Sequence, residues 1–261
     1  MRWISLLAVL LGLTAINARA SEPFAVGEKL HYRIYWGPLA VGSATIEVRG
    51  RELVDGHDCF HIVAEARTEG IGRALYPMNS VTESWMDVEG AFSRRFRQDR
   101  QEKRRSKTTE TRFDYAGKEI ITRNLVSGRE KHYPLDQPVQ DIVSSLYYMR
   151  RQPLALDRQE SFNLNASDKN WPVKVQPDAR EKMTLRPVGS VQALRLEPQP
   201  TLTFVAANKG RMWFWVTDDA RRLPLMVNST MVIGTAKLVL TKIESLATAE
   251  LPGPTLISAG H

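Results

Sequence analysis

The sequence predicts an all-β fold, mainly antiparallel: a curved sheet or partly open β-barrel or sandwich with one main α-helix packed against it. Three observations carry that prediction. Apolar residues recur with period two along most of the chain, where a helix would repeat them every three to four positions. Turn signals such as Asp55-Gly56, Ala116-Gly117 and Gly234 punctuate the segments at regular intervals. Only the stretch Val139, Ile142, Val143, Leu146, Met149 keeps helical spacing.

The first twenty residues read as a cleaved secretory signal peptide. Arg2 gives the positive start, Ile4 to Ile16 the apolar run, and Ala18-Arg19-Ala20 the small-x-small site before Ser21. The run is too short to span a bilayer, which takes about 20 residues, and no second one follows, so no integral membrane insertion is expected. Residues 21–248 are read as a single β-rich domain and residues 249–261 as a loose C-terminal tail. The expected location is the periplasm.

In the mature chain Leu30, Tyr32, Ile34 and Trp36 alternate with Lys29, His31, Arg33 and Tyr35, until Gly37-Pro38 breaks the strand. Ala44, Ile46 and Val48 share a face of the next strand. After the Asp55-Gly56 turn come Phe60, Ile62, Ala64 and Ala66. Such alternation describes half-buried antiparallel strands. From Phe92 to Asn124 the strand character persists but both faces are polar, with a hairpin joining 108–115 to 118–124. The helix is expected from a cap at Asp136 to Arg150 and Arg151, stopped by Gln152-Pro153. Strands resume at 161–165, 173–176, 182–187, 192–196 and 202–205, and the run closes with 211–217, 223–230 and 234–243.

Composition limits the function. The chain has 261 residues, 43% hydrophobic and 25% charged, which describes a soluble globular protein able to bury a core. One cysteine, Cys59, excludes an internal disulfide framework and a four-cysteine zinc module.

Several landmarks together resemble a known family. Phe24-x-Val26-Gly27-Glu28-x-Leu30-x-Tyr32 is followed by Trp36-Gly37-Pro38 and Val41-Gly42-x-Ala44. The helix carries Asp141-x-x-Ser144-x-Leu146-Tyr147-Tyr148-x-Arg150, and Trp215-x-Thr217-Asp218-Asp219 precedes Arg222-Leu223-Pro224 and Gly234. This pattern is similar to the bacterial exported proteins of the domain-of-unknown-function 3108 family, over roughly Phe24 to Leu246. The resemblance implies a signal-bearing, β-rich envelope protein with a helix against a curved sheet, and brings no catalytic residues with it. By fold analogy alone, the shape is similar to that of periplasmic lipoprotein carriers, whose half-open barrels hold acyl chains.

Charge is concentrated. Between Arg94 and Arg112 lie nine basic and three acidic residues, a net charge of +6, while the rest of the mature chain is close to neutral. Arg94, Arg95, Arg97, Arg100, Arg104 and Arg105 form the candidate anion patch, since guanidinium groups suit phosphate and carboxylate. The competing explanation is a solvated strand pair whose charges discourage edge-to-edge association. Export argues against nucleic acid as a partner. Trp213, Trp215, Tyr147 and Tyr148 are a candidate apolar ligand wall, set against plain core packing. His57, Cys59 and His61 share a face if extended, a weak candidate metal site that lacks a fourth ligand. No metal or other cofactor is expected.

No nucleophile elbow, zinc-protease motif or phosphate loop is present, so catalysis has no positive argument. The sequence therefore reads as a non-catalytic periplasmic binding or carrier-type protein for an anionic or amphipathic envelope molecule, such as a lipid, glycolipid or lipoprotein acyl chain. The alternatives are a structural or adaptor protein docking an acidic envelope protein or glycan through its basic strands, and a hydrolase whose site is not recognisable.

Overall fold

The computed structural model describes residues 22–244 except 104, 167–168, 200–209 and 232–233. The expected signal peptide, C-terminal tail and strand 202–205 lie outside the described residues, as does Arg104.

The first half of the described chain forms β1 (Lys29–Trp36), β2 (Leu39–Val54), β3 (His57–Thr68), α1 (Gly70–Leu75), β4 (Met78–Asp87), β5 (Ser93–Glu102), β6 (Arg105–Asp114), β7 (Glu119–Asn124) and β8 (Glu130–Pro134). The second half forms β9 (Val139–Gln140), α2 (Ser144–Arg151), β10 (Glu160–Ala166), β11 (Lys169–Leu185), β12 (Gly189–Gln199), β13 (Met212–Thr217), β14 (Pro224–Met231) and β15 (Gly234–Glu244). All the strands join one sheet in the order β8-β7-β6-β5-β4-β3-β2-β1-β15-β14-β13-β12-β11-β10-β9. Two up-and-down meanders are thus joined where the last strand pairs with the first, Leu30 opposite Ile243 and Tyr32 opposite Leu240. Among the described residues no ladder joins β8 to β9, so the sheet curls without closing.

Local chemistry accounts for the turns. Asp55 and Gly56 both have positive φ (50° and 79°), the requirement of a two-residue hairpin turn matched to strand twist. Gly42 is required by close approach: a Cβ there would come within 2.2 Å of the Arg67 carbonyl oxygen on β3.

Alternation gives the curled sheet two distinct faces. Leu30, Ile46, Val48, Phe60 and Ile62 point to the concave face and pack against Val143 and Tyr147 next to and within α2. Register carries this face across the sheet: Ile62 stands opposite Ser84, Ser84 opposite Phe96, and Phe96 opposite Thr111.

The helix is shorter than its spacing predicts. Val139 and Gln140 form β9, parallel to Asn163 and Leu164 of β10, and Val139 packs with Phe113, Ile120 and Leu135. The cap is Asp141, not Asp136. Its Oδ1 accepts the N–H groups of Val143 (2.7 Å) and Ser144 (2.8 Å), while Ser144 Oγ accepts the Asp141 N–H (2.9 Å). The other oxygen of Asp141 accepts the hydroxyls of Ser84 (2.6 Å) and Ser93 (2.5 Å), which fastens the helix start to β4 and β5. Burial pushes this carboxyl up, against the downward pull of the four donors.

The other end of α2 is held by Arg150. Its guanidinium engages Glu28 with both terminal nitrogens (2.5 and 2.9 Å), donates to the carbonyls of Pro23 (2.8 Å) and Arg221 (3.1 Å), and lies 5.3 Å from the ring centroids of Phe24 and Tyr147. Both charged side chains are only 1% exposed, so the pair depends on mutual neutralisation. Glu28, Asp141, Ser144, Tyr147 and Arg150, five of the landmarks in the family-like pattern, are therefore parts that seat the helix in the sheet.

Candidate functional site: an apolar cavity on the concave face

Residue size varies systematically along the concave face. On β2 the inward positions run Val48, Ile46, Ala44; on β3 they run Ile62, Ala64, Ala66. The large ends meet α2. The alanine ends leave space, and there the structure holds a half-open cavity of about 390 Å³, within the ~300–1,000 Å³ range of small-molecule sites. One wall is Phe162, Val175, Leu196, Phe214, Val227 and Leu238 from the second meander. Ile142, Leu146 and Met149 roof it from α2 and the residues before it; its polar lining residues include Ser80 and Thr82 of β4, Glu65 of β3 and Arg150 of α2.

The aromatic wall expected from the sequence requires correction. Phe214 stands opposite Leu196 and Val227, so β13 turns Met212, Phe214 and Val216 toward the cavity and Trp213 and Trp215 away from it. Trp215 donates its indole N–H to Glu181 (2.9 Å), and the Arg211 guanidinium lies 4.8 Å from the Trp213 ring. Tyr147 is fully buried, edge-on to Phe24 at 4.7 Å, and is a core residue, not part of the cavity wall. Tyr148 lies behind the wall against Phe162, at 5.5 Å.

The basic patch divides between the two faces. Arg100 stands opposite Ser80 on one side and Lys107 on the other, and Glu102 opposite Arg105; these continue the concave face beyond the cavity edge. Arg95 and Arg97 stand opposite Trp85 and Glu83 and point to the convex face. Several of the arginines already have acidic partners. Arg94 pairs with Asp87 (2.6 Å) at only 13% side-chain exposure, Arg95 with Glu110, and Arg100 with Glu102. Arg97, Arg105 and Lys107 have no ion-pair partner among the described residues. Among the described residues the patch arginines therefore do not assemble into a single anion site: strand alternation sends alternate residues to opposite faces.

The histidine–cysteine cluster is also spoken for. His61 lies with Nδ1 2.8 Å from Glu52 and Nε2 2.9 Å from Glu83, stacked on Trp85 at 4.6 Å. The Trp85 indole N–H donates to Glu52 (2.8 Å) and holds that carboxyl below the usual range. Cys59 is buried, and burial followed by the nearby Asp87 pushes its thiol up to about 11, which disfavours the thiolate. His57 is exposed at the hairpin. Among the described residues no three His, Cys, Asp or Glu side chains converge on a metal-sized site.

Sequence reasoning had the right strands but the wrong face of β13, and it missed β4 and its contribution to the cavity. The readable signal was the taper from valine and isoleucine to alanine on β2 and β3.

These features define a class: β-barrel-like proteins in which an open, curled sheet surrounds a helix and an apolar cavity. Within it, the chain belongs to the family described as protein of unknown function (DUF3108), whose model matches residues 31–241. A β-barrel-like protein of domain of unknown function DUF1849 from Brucella abortus has a similar fold. Its TM-score is 0.54 at 9% identity, covering 84% of this chain and 97% of that one. Two weaker matches are a “putative lipoprotein” from Parabacteroides distasonis (TM-score 0.31, 9% identity, 85% and 96% covered) and a “putative exported protein” with YmcC-like fold from Bacteroides fragilis (TM-score 0.30, 10% identity, 85% and 98% covered). No curated protein matches.

Proposed function

We propose that this is a non-catalytic, exported binding or carrier protein that holds the apolar part of an amphipathic envelope molecule in the concave cavity. The observation that carries the reading is the half-open cavity of about 390 Å³, walled by side chains such as Leu146, Phe162, Leu196 and Phe214. An acyl chain entering it gains roughly 0.8 kcal/mol per buried methylene. The charged end of the ligand would lie toward Arg100 and Lys107, which continue the concave face past Ser80. Residues 1–20, which read as a secretory signal, support a periplasmic setting for this activity.

The test is uptake of a fluorescent fatty acid by the purified mature protein, compared with Ala64→Phe, which fills the alanine end. Saturable uptake by the native chain, lost at least tenfold in the variant, is the expected result. Equal uptake by both, or none by either, would remove the cavity from the account.

A further inference from the structure

The cavity is lined by Ala44 near the start of β2, Ala66 near the end of β3, Ser80 near the start of β4 and Met212 at the start of β13. These all belong to one end of the sheet. The segment between β3 and β4, which contains α1, lies at that end. Gly72 seats α1 against Val41, since a Cβ there would come within 2.1 Å of the Val41 carbonyl oxygen. With Gly72 turned inward, α1 presents Ile71 and Leu75, four apart and on one helical face, to solvent at 51% and 71% exposure. Tyr76 follows at 42%, and Leu39, at the start of β2, is 49% exposed. Soluble proteins rarely cluster large apolar side chains this way without a partner.

Basic residues surround this tip. The Lys103 N–H donates to the Pro77 carbonyl (2.9 Å), which brings Lys103 beside the end of α1, and Lys103 Nζ lies 4.9 Å from the Tyr76 ring. Arg73 projects from α1 itself, and Arg105 begins β6; both are exposed, and neither has an acidic partner among the described residues. Glu69, the nearest acid in sequence, is engaged by Arg33 and Arg67 (3.0 Å each) and by Ser43 (2.6 Å). Glu102 is engaged by Arg100.

From this juxtaposition of exposed apolar residues and a basic collar at the cavity end, we infer that α1, Tyr76, Lys103 and Arg105 dock the protein onto an anionic phospholipid bilayer. Ile71, Leu75 and Tyr76 enter the interface, while Arg73, Lys103 and Arg105 contact head-group phosphates. The inference goes beyond ligand carriage: it assigns a membrane-facing end, and that end is the one where the cavity lies. An acidic protein is the competing partner for the same charges, but the apolar tip alongside them suits the acyl boundary of a bilayer better.

The experiment is co-sedimentation of the mature chain with vesicles of phosphatidylcholine alone and of phosphatidylcholine with phosphatidylglycerol. Binding to the mixed vesicles is expected to exceed binding to the neutral ones about tenfold and to weaken as salt is raised. Ile71→Asp with Leu75→Asp, and separately Arg73→Glu with Lys103→Glu, should each reduce it at least tenfold, while Arg97→Gln on the convex face leaves it unchanged. Labelling Leu75→Cys with an environment-sensitive dye, while Cys59 stays buried, should give a blue shift on mixed vesicles only. Equal binding by all variants, or no blue shift, would overturn the assignment. Ala64→Phe is carried through the same assay: it should dock normally, so that failed docking and failed ligand uptake are told apart.

Discussion

The two meanders use one strand pattern for opposite purposes. In β10–β15 the concave positions are large and apolar, and they form the cavity wall through Phe162, Leu196, Phe214 and Leu238. In β4–β6 the same face carries Ser80, Thr82, Gln98, Arg100 and Lys107. Each half alone would be an ordinary meander. Curled toward each other around α2, they give a cavity apolar on one side and polar, then basic, on the other. Period-two patterning therefore fixes architecture, while the identity of residues on a single face sets what the architecture can hold.

The strongest way to break this comparison is to release the helix between the halves. Arg150→Ala leaves Glu28 buried and unpaired and is expected to destabilise by about 3–5 kcal/mol, read as a lower urea midpoint. Glu28→Ala should do the same, and the double variant should lose less than the sum of the two.

A smaller effect is expected on the convex face of the first meander. His61→Gln should cost about 1–3 kcal/mol through weakened contacts to Glu52 and Glu83 and lost stacking on Trp85. Added zinc should leave the thermal midpoint unchanged; a clear rise would revive a metal role for His57, Cys59 and His61.

Asp141 sharpens the account through pH. Its carboxyl is raised in the folded state, so the native protein binds more protons than the unfolded chain just above the usual carboxylate value. Its contribution is therefore most favourable below that value and declines as pH rises toward the folded one. Asp141→Asn keeps an acceptor for the Val143 and Ser144 N–H groups and should flatten this decline in urea titrations from pH 4 upward. A variant with the native pH profile would assign the dependence elsewhere. The smallest effect belongs to Arg97→Gln, expected within about 0.5 kcal/mol of the native chain because Arg97 has no ion-pair partner among the described residues.

Much of the fold was legible in the sequence: β1 and β3 follow their apolar alternation, and β13 and β14 match the expected runs 211–217 and 223–230 to within one residue at each end. The long strands were read short, as in β11, where a register shift between Pro177 and Ala179 interrupts the alternation without ending the strand. The helix was read long because Val139 keeps helical spacing while its backbone pairs with Asn163, a tertiary contact invisible to local pattern. The site was less legible. Choosing between Trp213 and Phe214 as cavity residues depends on which neighbour each strand faces, and a one-residue difference inverts the answer. The arginine cluster was plain as composition, yet its division between faces and its pairing with Asp87, Glu110 and Glu102 depend on register.

The most direct measurement is native mass spectrometry of the mature protein taken gently from its own envelope fraction, followed by solvent extraction. The account predicts a reproducible added mass that extracts into organic solvent and is lost in Ala64→Phe. A bare polypeptide mass in both proteins, with no uptake of offered fatty acid or phospholipid, would contradict it.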